Sequence, residues 1–178
     1  SEQFASLVVG QANSAPAAAD YDSDGKMDPG VYFASGGFWT IALSGSGYAA
    51  ATLAGFGEWD AISLPADFDG DGKSDPALYR AADGAWAFQL SASRYATTLV
   101  NGFGGPDWTP ASADYDGDAK ADPAIYRAVD GVWIIGLSGN GYATTTITGF
   151  GAANAIPVSA DYDGDGKADP AVYSASAG

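Results

Sequence analysis

The chain has 178 residues, 47% of them hydrophobic, with 25 Gly, 9 Pro and a formal charge of −15. That apolar content suits a packed core rather than an acidic disordered tail, and no run of about 18 apolar residues reads as a membrane span. Cys and His are both absent. This excludes a disulfide framework, thiolate or imidazole metal ligands, and Ser/His/Asp or thiol nucleophile chemistry.

Twenty of the 22 acidic residues are Asp, and 16 of them fall in four short stretches. The seven basic residues, Lys26, Lys73, Lys120, Lys167, Arg80, Arg94 and Arg127, form no basic patch in sequence. Nucleic acid is therefore not expected as a partner, because phosphate binding needs a basic face.

In chain order, the first predicted element is a strand at residues 4–10, FASLVVG. The first acidic stretch follows as DYDSDGKMDPGVY at 20–32. It returns as DFDGDGKSDPALY at 67–79, DYDGDAKADPAIY at 114–126 and DYDGDGKADPAVY at 161–173, every 47 residues. Trp39, Trp86 and Trp133 keep this phase, as do Tyr48, Tyr95 and Tyr142, and Phe56, Phe103 and Phe150 inside GFG triplets. The Trp set is expected to pack between units.

The second unit shows the plan of all. PADFD at 65–69 is predicted as strand A, PALYRA at 76–81 as strand B, AWAFQLS at 85–91 as strand C and YATTLVNGFG at 95–104 as strand D. The Asp83-Gly84 turn joins B to C, as such dipeptides favour tight hairpins. Alternation places Trp86, Phe88 and Leu90 on one face. Four strands per unit of about 40–50 residues predict an all-β chain, a single β-propeller domain over 1–178, with a β-solenoid as the alternative. The strand at 4–10 matches D, three full sets follow, and A and B close the sequence. The fourth blade is thus incomplete by one strand C. It reads as a three-stranded blade, as part of a longer propeller, or as an edge that a partner strand from another molecule fills, which gives self-association.

Carboxylates crowd together when a hard cation neutralises them, and calcium takes six to eight oxygens. The pattern D-x-D-x-D-G-x-x-D turns alternate side chains inward. An EF-hand begins in the same way but needs Glu at position 12 and flanking helices. Position 12 here is Val31, Leu78, Ile125 and Val172, so that motif is excluded.

These loops, with the GFG triplets and the 47-residue unit, resemble the FG-GAP/VCBS repeats of bacterial surface and secreted proteins, and are similar to the calcium loops of integrin α-subunits. The resemblance spans nearly the whole chain. It implies one Ca²⁺ per loop, about four in all, and an extracellular or cell-surface location. It implies as ligands Asp20, Asp22, Asp24 and Asp28; Asp67, Asp69, Asp71 and Asp75; Asp114, Asp116, Asp118 and Asp122; Asp161, Asp163, Asp165 and Asp169. The carbonyls of Lys26, Lys73, Lys120 and Lys167 complete the sets, with the Lys side chains expected to point to water. Ala119 stands where the other loops have Gly, so strain is expected there if the position is left-handed. Ser23 replaces another Gly, where little effect is expected.

Strand direction puts the acidic loops and the C–D turns on one face and the D–A loops on the other. The D–A loops vary most. Glu58, Trp59, Asp60, Asp107, Trp108 and Asn154 make a candidate ligand face, suited to carbohydrate if the Trp rings are open and to packing if they are not. No catalytic set is assigned and no enzyme is expected. Two functions remain from the sequence: a calcium-stabilised structural or adhesive protein, in one form a fibre subunit joined by strand complementation, and a lectin-like carbohydrate-binding module.

Overall fold

A computed structural model describes residue 10, residues 12–57 and residues 60–175. The predicted strand at 4–10 lies, apart from Gly10, outside the described residues, as do Glu58 and Trp59. The protein is all-β, with short 3-10 turns as its helical content among the described residues. No described helix is long and apolar enough to cross a membrane.

The first unit is a four-stranded antiparallel sheet of β1 (Ala15–Pro16), β2 (Gly30–Phe33), β3 (Phe38–Leu43) and β4 (Ala49–Ala54), hydrogen-bonded in that order. The second repeats it as β5 (Ala61–Ser63), β6 (Ala77–Arg80), β7 (Ala85–Leu90) and β8 (Ala96–Val100). The third has β9 (Thr109–Pro110), β10 (Ala124–Arg127), β11 (Val132–Leu137) and β12 (Ala143–Ile147). The fourth pairs β13 (Ile156–Pro157) with β14 (Val172–Tyr173).

Strands B, C and D of the first three units, and strand B of the fourth, fall where the sequence puts them. Strand A does not. PADFD was expected to pair as a strand, but pairing occurs earlier, at Ala61–Ser63, inside what reads as the D–A loop. Only one bridge, Ala66 to Asp75, continues the pairing past Pro65. Beyond it, Asp67 turns its carboxylate back to the amides of Gly70 and Gly72, and the chain curls instead of extending. The bridge sits at the neck of the loop and is repeated as Ala19–Asp28, Ala113–Asp122 and Ala160–Asp169.

Side-chain alternation builds the core. On β7, Trp86 and Phe88 are fully buried while Ala85 and Ala87 are not. Trp39, Trp86 and Trp133 each lie tilted against the Tyr of the neighbouring strand, with Tyr32, Tyr79 and Tyr126 at ring separations of 5.1, 4.8 and 4.9 Å. The clusters cross between units: Trp39, Tyr32 and Phe56 of the first pack with Leu78 of the second. Likewise Phe68, Trp86 and Phe103 of the second pack with Ile125 of the third.

The GFG triplets have a steric cause. A Cβ on the second glycine, Gly57, Gly104 or Gly151, would lie 2.2, 2.3 or 2.1 Å from the hydroxyl of Tyr32, Tyr79 or Tyr126. These glycines also hold φ between 125° and 142°, where a side chain is strained. At the B–C turns, Arg80 Nε donates to Asp83 and Arg127 Nε to Asp130, each at 2.9 Å, so these pairs fasten hairpins.

Candidate metal centres

Each acidic stretch folds into a loop whose carboxylates are aimed by backbone amides. In the second loop, Asp67 accepts from Gly70 N–H at 2.6 Å and Gly72 N–H at 2.8 Å. Asp69 accepts from Asp71 N–H at 3.2 Å, and Asp71 from Lys73 N–H at 2.9 Å. Asp75 accepts from Phe68 N–H at 2.9 Å. The same pattern recurs around Asp20, Asp114 and Asp161. Local sequence dictates it: short Asp side chains reach amides two to five residues on, and left-handed residues let the chain turn between them.

Carboxylate oxygens converge in all four loops. Asp20, Asp22 and Asp28 each bring one within 4.8 Å of the others; so do Asp67, Asp69 and Asp71, then Asp114, Asp116 and Asp122, and finally Asp161, Asp163 and Asp169. Such clusters can hold a metal ion. Of the expected ligands, Asp24, Asp75, Asp118 and Asp165 lie in the loops but outside these closest trios. The donor set is all oxygen, which fits a hard cation such as Ca²⁺ better than a thiophilic metal.

The ninth position is the deepest. Asp28, Asp75 and Asp122 are fully buried. Burial pushes Asp75 up to about 6 and moves Asp122 in the same direction, against the amide bonds that favour the carboxylate. A buried charge of this kind needs a counter-charge or must protonate.

A third element enters that the sequence reading did not name as part of the site. The C–D connection is a 3-10 turn, Ser44–Ser46, Ser91–Ser93 or Ser138–Asn140. Its first residue makes two bonds to the acidic loop. Ser91 N–H donates to Asp75 at 2.7 Å and its hydroxyl to Asp71 at 2.8 Å, while Ala92 N–H donates to Asp69 at 3.0 Å. Ser44 with Gly45, and Ser138 with Gly139, do the same. The signal was present as a serine in phase three times, in the turns placed on the acidic face, but a serine after a strand looks like an ordinary turn residue.

Neighbouring loops are joined. Ser74 N–H donates to Asp20 C=O at 2.7 Å, Ala121 N–H to Asp67 C=O at 2.6 Å and Ala168 N–H to Asp114 C=O at 2.6 Å. The lysines do not simply point to water. Lys26 bends back to Asp24 at 3.0 Å and holds that carboxyl below its ordinary range. The stems of Lys120 and Lys167 lie across Gly70 and Gly117 of the preceding loop. Two departures sit in left-handed backbone: Ala119 at φ 66° and Ser23 at φ 63°. Ser23 therefore carries the same kind of strain as Ala119, contrary to expectation.

Of the six D–A loop residues, Asp60, Asp107, Trp108 and Asn154 are described, and Glu58 and Trp59 are not. Asp60, Asp107 and Asn154 are exposed. Trp108 is half-buried, packs on the second unit's core, and has the Arg127 guanidinium 4.4 Å from its ring centroid. One ring face is thus already taken by a cation–π contact. No family profile, no curated protein and no solved structure matches the chain.

Proposed function

We propose that this chain is an extracellular, calcium-stabilised repeat protein of β-propeller type, with a structural or adhesive role at a cell surface or in an extracellular assembly. The observation that carries this reading is the row of four acidic clusters linked loop to loop by amide–carbonyl bonds. The clusters sit at the seams between units. A cation in each would neutralise carboxylates that otherwise repel and would stiffen the junction to the next unit. The protein then turns a calcium-rich environment into mechanical rigidity. Three four-stranded antiparallel sheets of one plan and a two-stranded fourth support the propeller assignment, as do cores that pass from one unit to the next.

The ligands in this proposal are the four Asp residues of each loop, with the seventh-position carbonyls of Lys26, Lys73, Lys120 and Lys167. Bound calcium would supply charge and fixed coordination, and no reaction is assigned to it. The carbohydrate reading would need Trp59, outside the described residues, together with Trp108, one face of which Arg127 covers.

The test is thermal melting with calcium and again after chelation, with elemental analysis of the purified protein and light scattering in both states. A large rise in melting temperature with about four bound Ca²⁺ is expected. No shift and no bound metal would remove the proposal.

A further inference from the structure

The first two seams between units are built on one plan but filled differently. At the second seam, Phe103 and Ile125 belong to the core, and Trp108 and Ile134 pack over it. At the first seam, Phe56 and Leu78 take the core positions, while Ala61 and Ala87 stand where the next unit has Trp108 and Ile134. Ala85, two residues before Ala87, likewise stands in place of Val132. Three side chains are thus cut short on the face that the second sheet turns to the first. A cavity of about 340 Å³ opens there, lined among others by Phe56, Leu78, Arg80 and the three alanines.

The cation of the second seam is repeated at the first. In the ladder Arg80 stands between Ala61 on β5 and Ala85 on β7, and Arg127 stands opposite Val132 on β11. Arg80 Nε donates to Asp83 at 2.9 Å, as Arg127 Nε does to Asp130. Held in that pose, Arg127 lies 4.4 Å from the Trp108 ring centroid. The first seam therefore keeps the guanidinium and the apolar floor, with an alanine methyl where the second seam has an indole.

We propose that the first seam binds a free, neutral, planar aromatic molecule of about indole size, its ring lying against Arg80 as Trp108 lies against Arg127. Pockets for small organic molecules begin at about 300 Å³, so the cavity admits a fused ring and leaves little room for a peptide segment. The ring face attracts the guanidinium, and its body buries apolar surface on Phe56 and Leu78. Asp83 already balances the charge of Arg80 and repels an anionic ligand, which favours a neutral one. None of the lining residues belongs to an acidic loop, so the site stands apart from the calcium proposal.

The probe is indole, titrated into the whole 178-residue chain by calorimetry and protein NMR, with methyl glucoside as the comparison. Saturable binding of indole at one site is expected, with shifts centred on Leu78 and Leu99, and no binding of the sugar. Ala61→Trp supplies the side chain of the second seam and should weaken indole by about tenfold or more. Ala87→Ile narrows the same cavity from β7, should act in the same direction, and is read alone where the larger residue disturbs the fold. Arg80→Gln removes the cation and should cost about threefold. The proposal is overturned if a chain shown by circular dichroism to be folded binds no indole up to about 10 mM. It is also overturned if a folded cavity-filling variant or Arg80→Gln binds indole as tightly as the unaltered chain, or if methyl glucoside competes for the site. Binding that emerges only in Trp59→Ala overturns it too, because the slot would then belong to a side chain of the same protein.

Discussion

Ala121 N–H donates to the carbonyl oxygen of Asp67 at 2.6 Å, so an amide of the third loop ends on the first aspartate of the second. That carbonyl belongs to the same residue whose carboxylate enters the second cluster. Ordering one loop by a cation should therefore tighten the next. Calcium is expected to slow hydrogen exchange at Ser74, Ala121 and Ala168 by about tenfold or more, and chelation should reverse it. Slowing confined to amides within each loop would show that the seams are not coupled.

The serine turn gives a second prediction. Ser91→Ala removes the hydroxyl that holds Asp71 at 2.8 Å but leaves the Ser91 N–H on Asp75. A loss of about 1 kcal/mol in metal-free stability is expected by denaturant titration. The second site should also lose roughly tenfold in calcium affinity, because outer partners orient the ligands. An unchanged titration curve would mean that the loop aims Asp71 without help.

How much of this was legible in the sequence differs by residue type. The Asp ladder and the in-phase Trp residues spoke directly, because charge crowding and large apolar side chains each have few solutions. The in-phase Tyr48 and Tyr95, by contrast, are exposed, and the core tyrosines are Tyr32, Tyr79 and Tyr126. Strand A was misplaced by several residues, since Ala61–Ser63 carries no alternation and the nearby PAD looked stronger. The second glycine of GFG was visible as a repeat, but its cause, the Tyr hydroxyl, is a contact between distant segments. The lysine stems across Gly70 and Gly117 were hidden for the same reason. Trp108 could not be settled from sequence, because an exposed stacking ring and a half-buried one under Arg127 have the same neighbours in the chain.

Backbone strain at the third loop is testable by a single methyl group. Ala119 holds φ 66°, where Gly25, Gly72 and Gly166 stand in the other loops. Its N–H makes the same bond to Asp114 that Gly72 makes to Asp67, so the geometry is kept at the expense of conformational energy. Ala119→Gly is expected to stabilise the metal-free protein by roughly 0.5–1 kcal/mol, the left-handed penalty less the added chain entropy. Gly72→Ala should destabilise by a similar amount. Denaturant midpoints for the two variants, moving in opposite directions, check the argument.

Acid should act in opposite senses with and without metal. Burial raises Asp75 from 3.8 to about 6 in the fold, and Asp122 shifts the same way. Between those values the folded chain binds more protons than the unfolded chain, so metal-free stability falls as pH rises from about 4 to about 6. Metal-free protein should then melt higher at pH 5 than at pH 7. In saturating calcium the cation favours the carboxylate form, and acidification must release it. The calcium-loaded protein should melt higher at pH 7 than at pH 5. Melting curves at both pH values, with calcium and with chelator, give the four points needed. A metal-free protein that is more stable at pH 7 would show that amide bonds to Asp75 outweigh its burial, and that the buried carboxylates need no cation to stay charged.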